Sequence, residues 1–120
     1  MHDRIPNPCR LLIVGINPGA LSEEVDAPFA HPGNRFWPAL EKAGITPYQV
    51  NASGGLSEKD SAMLSQRGIG FTNLVARMTP KASDLTKDEL IEGGERLKRV
   101  VDKHRPGAVS YTHLRAHETE

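Results

Sequence analysis

Leu11-Leu12-Ile13-Val14-Gly15-Ile16-Asn17-Pro18-Gly19 joins two patterns in nine residues. Four apolar side chains run without a polar break and stop at a glycine. A strand buried on both faces reads this way, as in a parallel sheet, whereas a half-buried strand alternates. Residues 15–19 then leave the strand as a tight loop. Loops at the carboxyl ends of such strands are where α/β sheets place ligands. Pro18 stiffens the loop, Gly15 and Gly19 allow close backbone approach, and Asn17 offers an amide that both donates and accepts. No Gly-Lys-Ser/Thr follows, so this is not a Walker-type phosphate loop, and the G-x-G-x-x-G of dinucleotide folds is absent. On spacing alone an ordinary turn is the simpler explanation.

On the N-terminal side, residues 1–9 are polar and carry Pro6 and Pro8, which predicts an extended lead-in. On the other side, residues 20–33 show no period and hold Pro28 and Pro32, the pattern of a loop. From Asn34 the period changes. Phe36, Leu40 and Ala43 predict a short helix to about Gly44, with Trp37 beside the stripe and Pro38 tolerated in the first turn. Residues 45–55 read as loop. Residues 57–66 read as a short helix capped by Ser57, with Met63 and Leu64 inward. Residues 69–75 are a second strand candidate, interrupted by Gly70 and carrying Thr72 and Asn73. A second loop covers 78–85.

The strongest helix signal is 87–104: Thr86 with Glu89 forms a capping box and Pro106 follows the end. Leu90, Ile91, Gly94, Leu97, Val100 and Val101 make its apolar face. Gly93-Gly94 costs that helix about 1–2 kcal/mol against alanine, which close packing on a sheet explains. Gly107-Ala108-Val109 opens another strand. Strands alternating with helices argue an α/β layer fold.

A chain of 120 residues makes one domain, and 38% hydrophobic side chains allow a modest core. Fifteen basic and fifteen acidic side chains cancel, which excludes a strongly basic nucleic-acid coat but not a local basic face. Cys9 is the only cysteine, so a disulfide framework, a cysteine-built zinc site and a cysteine-ligated iron–sulfur cluster are excluded. No metal and no cofactor are expected. No apolar run approaches a membrane span and the N-terminus lacks a signal-peptide core, so a cytoplasmic protein without a membrane partner is expected.

After Ala108-Val109 the pattern changes again. A second buried strand belongs here, yet His113, Arg115, His117, Glu118 and Glu120 follow. The string from Val109 to Thr119 is similar to the translation of a transposon-type sequencing adaptor. Residues 1–108 are therefore expected to be the N-terminal portion of a single domain, and 109–120 a non-native tail. His113 and His117 have helical metal-ligand spacing, but the tail reading gives them no role.

The second informative cluster is Pro28-Phe29-Ala30-His31-Pro32-Gly33-Asn34-Arg35-Phe36-Trp37, which holds three of the six aromatic side chains. Phe36 and Trp37 read as core. Phe29 sits in a loop between prolines, where an aromatic is less expected and could stack on a planar base. His31, Asn34 and Arg35 could reach a phosphate or a ligand edge, or simply form a solvated helix start.

Taken together, G-I-N-P-G and P-F-A-H-P-G-N-R-F-W resemble the mismatch-specific uracil/thymine-DNA glycosylases of the uracil-DNA glycosylase superfamily. The stretch Gly68-Ile69-Gly70-Phe71-Thr72-Asn73-Leu74-Val75-Ala76-Arg77, then T-K-D-E-L-I-E-G-G from Thr86, agrees. The resemblance covers about residues 11–108. It implies a three-layer α/β/α fold with a mainly parallel central sheet, incomplete at the C-terminus. It implies that Asn17 positions the attacking water and is the catalytic residue. Phe29 would stack on a flipped base, with Ile16 and Asn17 lining the pocket and Asn73 helping to shape it. The substrate-binding set is Gly15, Ile16, Pro18, Gly19, Phe29, His31, Asn34, Arg35 and Asn73. The implied partner is double-stranded DNA containing mispaired uracil or thymine, and the implied state a monomer. Other branches of the superfamily place an aspartate in the water-activating motif, which 15–19 lacks. The family also carries a second active-site motif on a downstream wedge loop, which these residues do not include, so the chain as written is expected to be inactive. Two alternatives are a non-catalytic DNA-interaction fragment and a small nucleotide-binding α/β domain.

Overall fold

The computed structural model describes residues 1–112. Strand β1 (Leu11–Gly15) is the middle of a three-stranded sheet, with β2 (Ile69–Asn73) and β3 (Ala108–Tyr111) parallel to it on either side. Leu11 pairs with Ile69 on one side and Ala108 on the other. Side chains alternate across a strand, so β1 feeds two cores. Ile13 joins Trp37, Leu40, Leu64 and Phe71 on one face. Leu12 and Val14 join Cys9 and Leu97 on the other. The apolar run therefore did need two covered faces.

Helices α2 (Phe36–Lys42) and α3 (Glu58–Gln66) cover the first face and α4 (Lys87–His104) the second, which makes three layers. Pro38 falls in the first turn of α2. Ser57 caps α3 by accepting from the Asp60 amide at 3.0 Å. The capping box of α4 forms in both directions, Thr86 Oγ1 accepting from Glu89 N and Glu89 Oε1 from Thr86 N. The lead-in is extended and adds an antiparallel bridge, Arg4 with Phe71, on the outer edge of β2.

Three local expectations are corrected. Residues 20–25, read as loop, form a six-residue helix α1 (Ala20–Val25). Gly19 starts it without a side-chain cap and Asp26 ends it in the left-handed region, so it is too short for a period and lacks a start signal. The packed face of α4 is Gly93, Leu97, Val100 and Val101, while Leu90 and Ile91 are exposed. Gly93 is the glycine that packing demands: a Cβ there would lie 2.4 Å from the Leu74 carbonyl oxygen, whereas one on Gly94 meets nothing within 4 Å. Finally, β2 ends at Asn73, but its pairing runs on, with Leu74 N donating to Gly15 O and Val75 N to Ile16 O.

At the far edge, β3 exposes Ala108, Ser110 and Tyr111 and half-buries Val109. Among the described residues no helix is long and apolar enough to cross a membrane.

Candidate active site

Four segments converge at the carboxyl end of the sheet: the loop after β1, loop 28–34, the end of β2, and loop 79–82. They enclose a cavity of about 450 Å³. Gly15, Asn17, Pro18, Gly19, Phe29, His31, Asn34 and Asn73 all line it, together with Met1 and Thr79. Two residues of the expected set do not. Ile16 lies between Gly15 and Asn17 on a chain still paired like a strand, so alternation turns it to the opposite side. Arg35 precedes α2 and is exposed outside the cavity.

The Asn17 amide is held in one orientation. Its Nδ2 donates to the Arg77 carbonyl at 3.0 Å and to Thr79 Oγ1 at 2.6 Å. A carbonyl only accepts, so the atom facing it is the nitrogen. The Thr79 hydroxyl spends its own hydrogen on the Lys81 carbonyl at 2.6 Å and must accept from Asn17. Both amide hydrogens are thereby used, and Asn17 Oδ1 makes no hydrogen bond among the described residues. It is an acceptor left over at the cavity.

Behind this sits a fork. Arg77 Nε and Nη2 bind the two carboxylate oxygens of Glu89 at 2.8 and 2.9 Å. The guanidinium, followed by the Thr86 amide, holds the Glu89 carboxyl down at about 2. The start of α4 is thus tied to the residue whose carbonyl orients Asn17.

Phe29 forms the opposite wall. Its φ of +53° lies in the left-handed region, which a bulky side chain rarely adopts. Such a conformation costs on the order of 1–3 kcal/mol and persists only where neighbours impose it. The neighbours are identifiable: Trp37 Nε1 donates to Pro28 O at 3.1 Å, Ala30 N donates to the buried Ser22 hydroxyl at 3.1 Å, and Phe36 stacks on the Phe29 ring at 3.9 Å between centroids. At the floor, a Cβ on Gly15 would lie 2.6 Å from Asn73 Oδ1 and 3.8 Å from the tip of Phe29. A side chain at Gly15 would push the Asn73 amide out of the place it now fills. The Asn73 Nδ2 in turn lies 3.9 Å from the Met1 sulfur.

Among the described residues no carboxylate lines the cavity. The groups with shifted titration lie elsewhere: besides Arg77 and Glu89, burial pushes the Cys9 thiol up, and the Asp60 carboxylate raises the Tyr48 phenol. The arrangement supplies a fixed neutral acceptor in a cavity that an aromatic ring also lines, suited to holding a water beside a flat ligand. Among the described residues no group of His, Cys, Asp and Glu could hold a metal ion; His113 and His117 lie outside them. Thr79 and Arg77 were not among the expected site residues, since a contact across sixty residues leaves no local pattern. The family model for the uracil DNA glycosylase superfamily matches residues 2–115.

Proposed function

Because this chain belongs to the uracil DNA glycosylase superfamily, we propose that its cavity receives a pyrimidine flipped out of duplex DNA. The family supports glycosylase activity on uracil in DNA, hydrolysis of the N-glycosidic bond and a place in DNA repair. The finer reading is a monofunctional, monomeric enzyme of the mismatch-specific type. It prefers uracil opposite guanine, with thymine or modified cytosine opposite guanine next.

The Asn17 clamp carries this reading. With both amide hydrogens engaged, Oδ1 accepts from a water aimed at the sugar carbon. The Phe29 ring stacks on the base, and backbone amides near Asn17 and Phe29 face its carbonyl oxygens as negative charge develops there. Water supplies hydroxide to the sugar carbon, and the base departs with the bonding pair and takes a proton. An amide is a weak base, so the enzyme orients water more than it activates it. Slow turnover and a preference for good leaving groups follow, as does a preference for mispaired nucleotides, which cost least to flip.

The test is single-turnover excision by the protein from the complete gene on duplexes carrying G·U, A·U and G·T. The expected order is G·U fastest and G·T slower. Equal rates on G·U and A·U would overturn the mismatch preference. We also propose, from the change of sequence pattern after Val109, that residues 1–108 are the N-terminal portion of this domain and 109–120 a foreign tail, although residues 109–111 pair with β1. The family match runs past this boundary to residue 115. A genomic reading that retains 109–120 unchanged would overturn the tail.

A further inference from the structure

Met1 lines the base cavity, and its side chain is only 4% exposed. An extended lead-in is an unexpected source for a cavity wall. Residues 2–4 bring it there. Arg4 N donates to Phe71 O at 2.9 Å and Arg4 O accepts from Phe71 N at 2.7 Å, which docks the lead-in on the edge of β2. Asp3 Oδ1 accepts from Thr72 Oγ1 at 2.7 Å and Asp3 Oδ2 from Arg96 Nη1 at 3.1 Å, which ties it to β2 and α4. His2 N donates to Asp26 Oδ1 at 3.2 Å and Met1 N to the Glu23 carboxylate, which carries the chain across to α1. Residues 1–4 thus form a strap with a contact at every residue, and the strap delivers the Met1 thioether to one place.

That place is deep in the cavity. The Met1 sulfur lies 3.9 Å from Asn73 Nδ2. Asn73 pairs with Gly15, two residues before Asn17. Two residues of extended chain span about 7 Å. Asn17 stands beside the sugar carbon in the proposed mechanism, so Met1 stands at the edge of the base away from the sugar. Pyrimidines differ along that edge, at ring positions 4 and 5. A thioether has no hydrogen to donate and accepts only weakly. What it presents to a base is bulk.

We propose that Met1 is a specificity-determining residue of the base cavity. Its side chain limits the substituent that ring position 5 can carry, and so favours uracil over thymine and other 5-substituted pyrimidines. The proposal rests on the glycosylase reading and deepens it. A pocket wall separates ligands that differ by one carbon by about tenfold or more, because the larger one must displace atoms already packed. Cutting the wall back removes that difference while leaving Asn17 and Phe29 in place.

The test uses the protein from the complete gene, with position 1 varied by release from a cleavable N-terminal fusion. Affinity is measured for duplexes carrying a non-hydrolysable deoxyuridine or thymidine analogue opposite guanine. The cost of flipping each nucleotide is the same for every variant, so it cancels when the ratio of the two affinities is compared with wild type. Met1→Ala should shift that ratio toward thymidine by about tenfold. Asp3→Ala frees the strap without altering a cavity-lining residue, and should shift the ratio in the same direction. Thermal melting shows which variants are folded, and Asp3→Ala decides if Met1→Ala is not. Wild-type excision of uracil with the ratio unchanged, or shifted toward deoxyuridine, overturns the role of Met1 and leaves the glycosylase reading standing. Absence of excision by the wild type overturns that reading and the proposal with it.

Discussion

The two walls of the cavity are held by different physics. The Asn17 wall is a chain of directed hydrogen bonds: Arg77 donates to Glu89, Asn17 donates to the Arg77 carbonyl and to Thr79, and Thr79 donates to the Lys81 carbonyl. The Phe29 wall is held by packing, with one ring stacked on another and a strained backbone pinned by its neighbours. A hydrogen-bonded wall orients a single atom, and losing one donor or acceptor leaves its partner unsatisfied. A packed wall presents a surface, which tolerates a change of atoms provided shape and flatness survive.

That contrast is most exposed at Thr79. Thr79→Val removes an acceptor and leaves an Asn17 N–H facing a methyl group. Leaving a donor unpaired costs roughly 1–3 kcal/mol, so the single-turnover excision rate should fall between about five- and a hundredfold. Thr79→Ser restores the hydroxyl and should restore the rate. If valine and serine behave alike, the wall is held by shape after all. At Phe29 the expectation is reversed. Phe29→Trp, still flat, should retain most base binding. Phe29→Leu should weaken binding of uracil-containing duplex by about tenfold through lost stacking, read as affinity for a non-hydrolysable uridine analogue. Loss in both would show that the ring's fit matters more than its flat face.

The smallest effect is expected at the fork. Glu89→Gln keeps an acceptor for Thr86 N and loses the charge facing Arg77, so a change of only a few-fold in rate is expected for so exposed a pair. Its pH behaviour is more telling. The Glu89 carboxyl is depressed from 4.5 to about 2. A depressed acid contributes fully above its ordinary value and loses that contribution as pH falls through its folded one. Excision measured from pH 5 to 9 should therefore show no inflection from Glu89, and its carboxylate signal should titrate near 2 by NMR. A midpoint near 4.5 would show the fork open in solution.

How much of this was legible in the sequence divides along the same line. The four-residue apolar run, the glycine that ends it and the Thr86–Glu89 capping box are local patterns, and β1 and α4 stand where those patterns put them. Asn17 and Phe29 were legible as unusual residues in loops, and both border the same cavity. Thr79 was not, because its role lies in a contact 62 residues away in sequence and no spacing encodes it. Ile16 was placed in the pocket by its motif, but the alternation that carries past the end of β1 turns it away. The exposure of Leu90 and Ile91 was equally hidden: the helical period assigned both to the packed face, while the close approach at Gly93 sets which side of α4 meets the sheet.

In the proposed mechanism Asn17 acts on water and leaves DNA affinity to other groups. The most direct measurement is single-turnover excision of uracil from a G·U duplex by the complete-gene protein and its Asn17→Ala variant, with duplex affinity measured in parallel. Excision should fall by about a hundredfold or more, the scale for losing one positioned group in a transition state. Affinity, carried mainly by phosphate contacts, should stay within about twofold. Excision by Asn17→Ala at the wild-type rate would contradict the account.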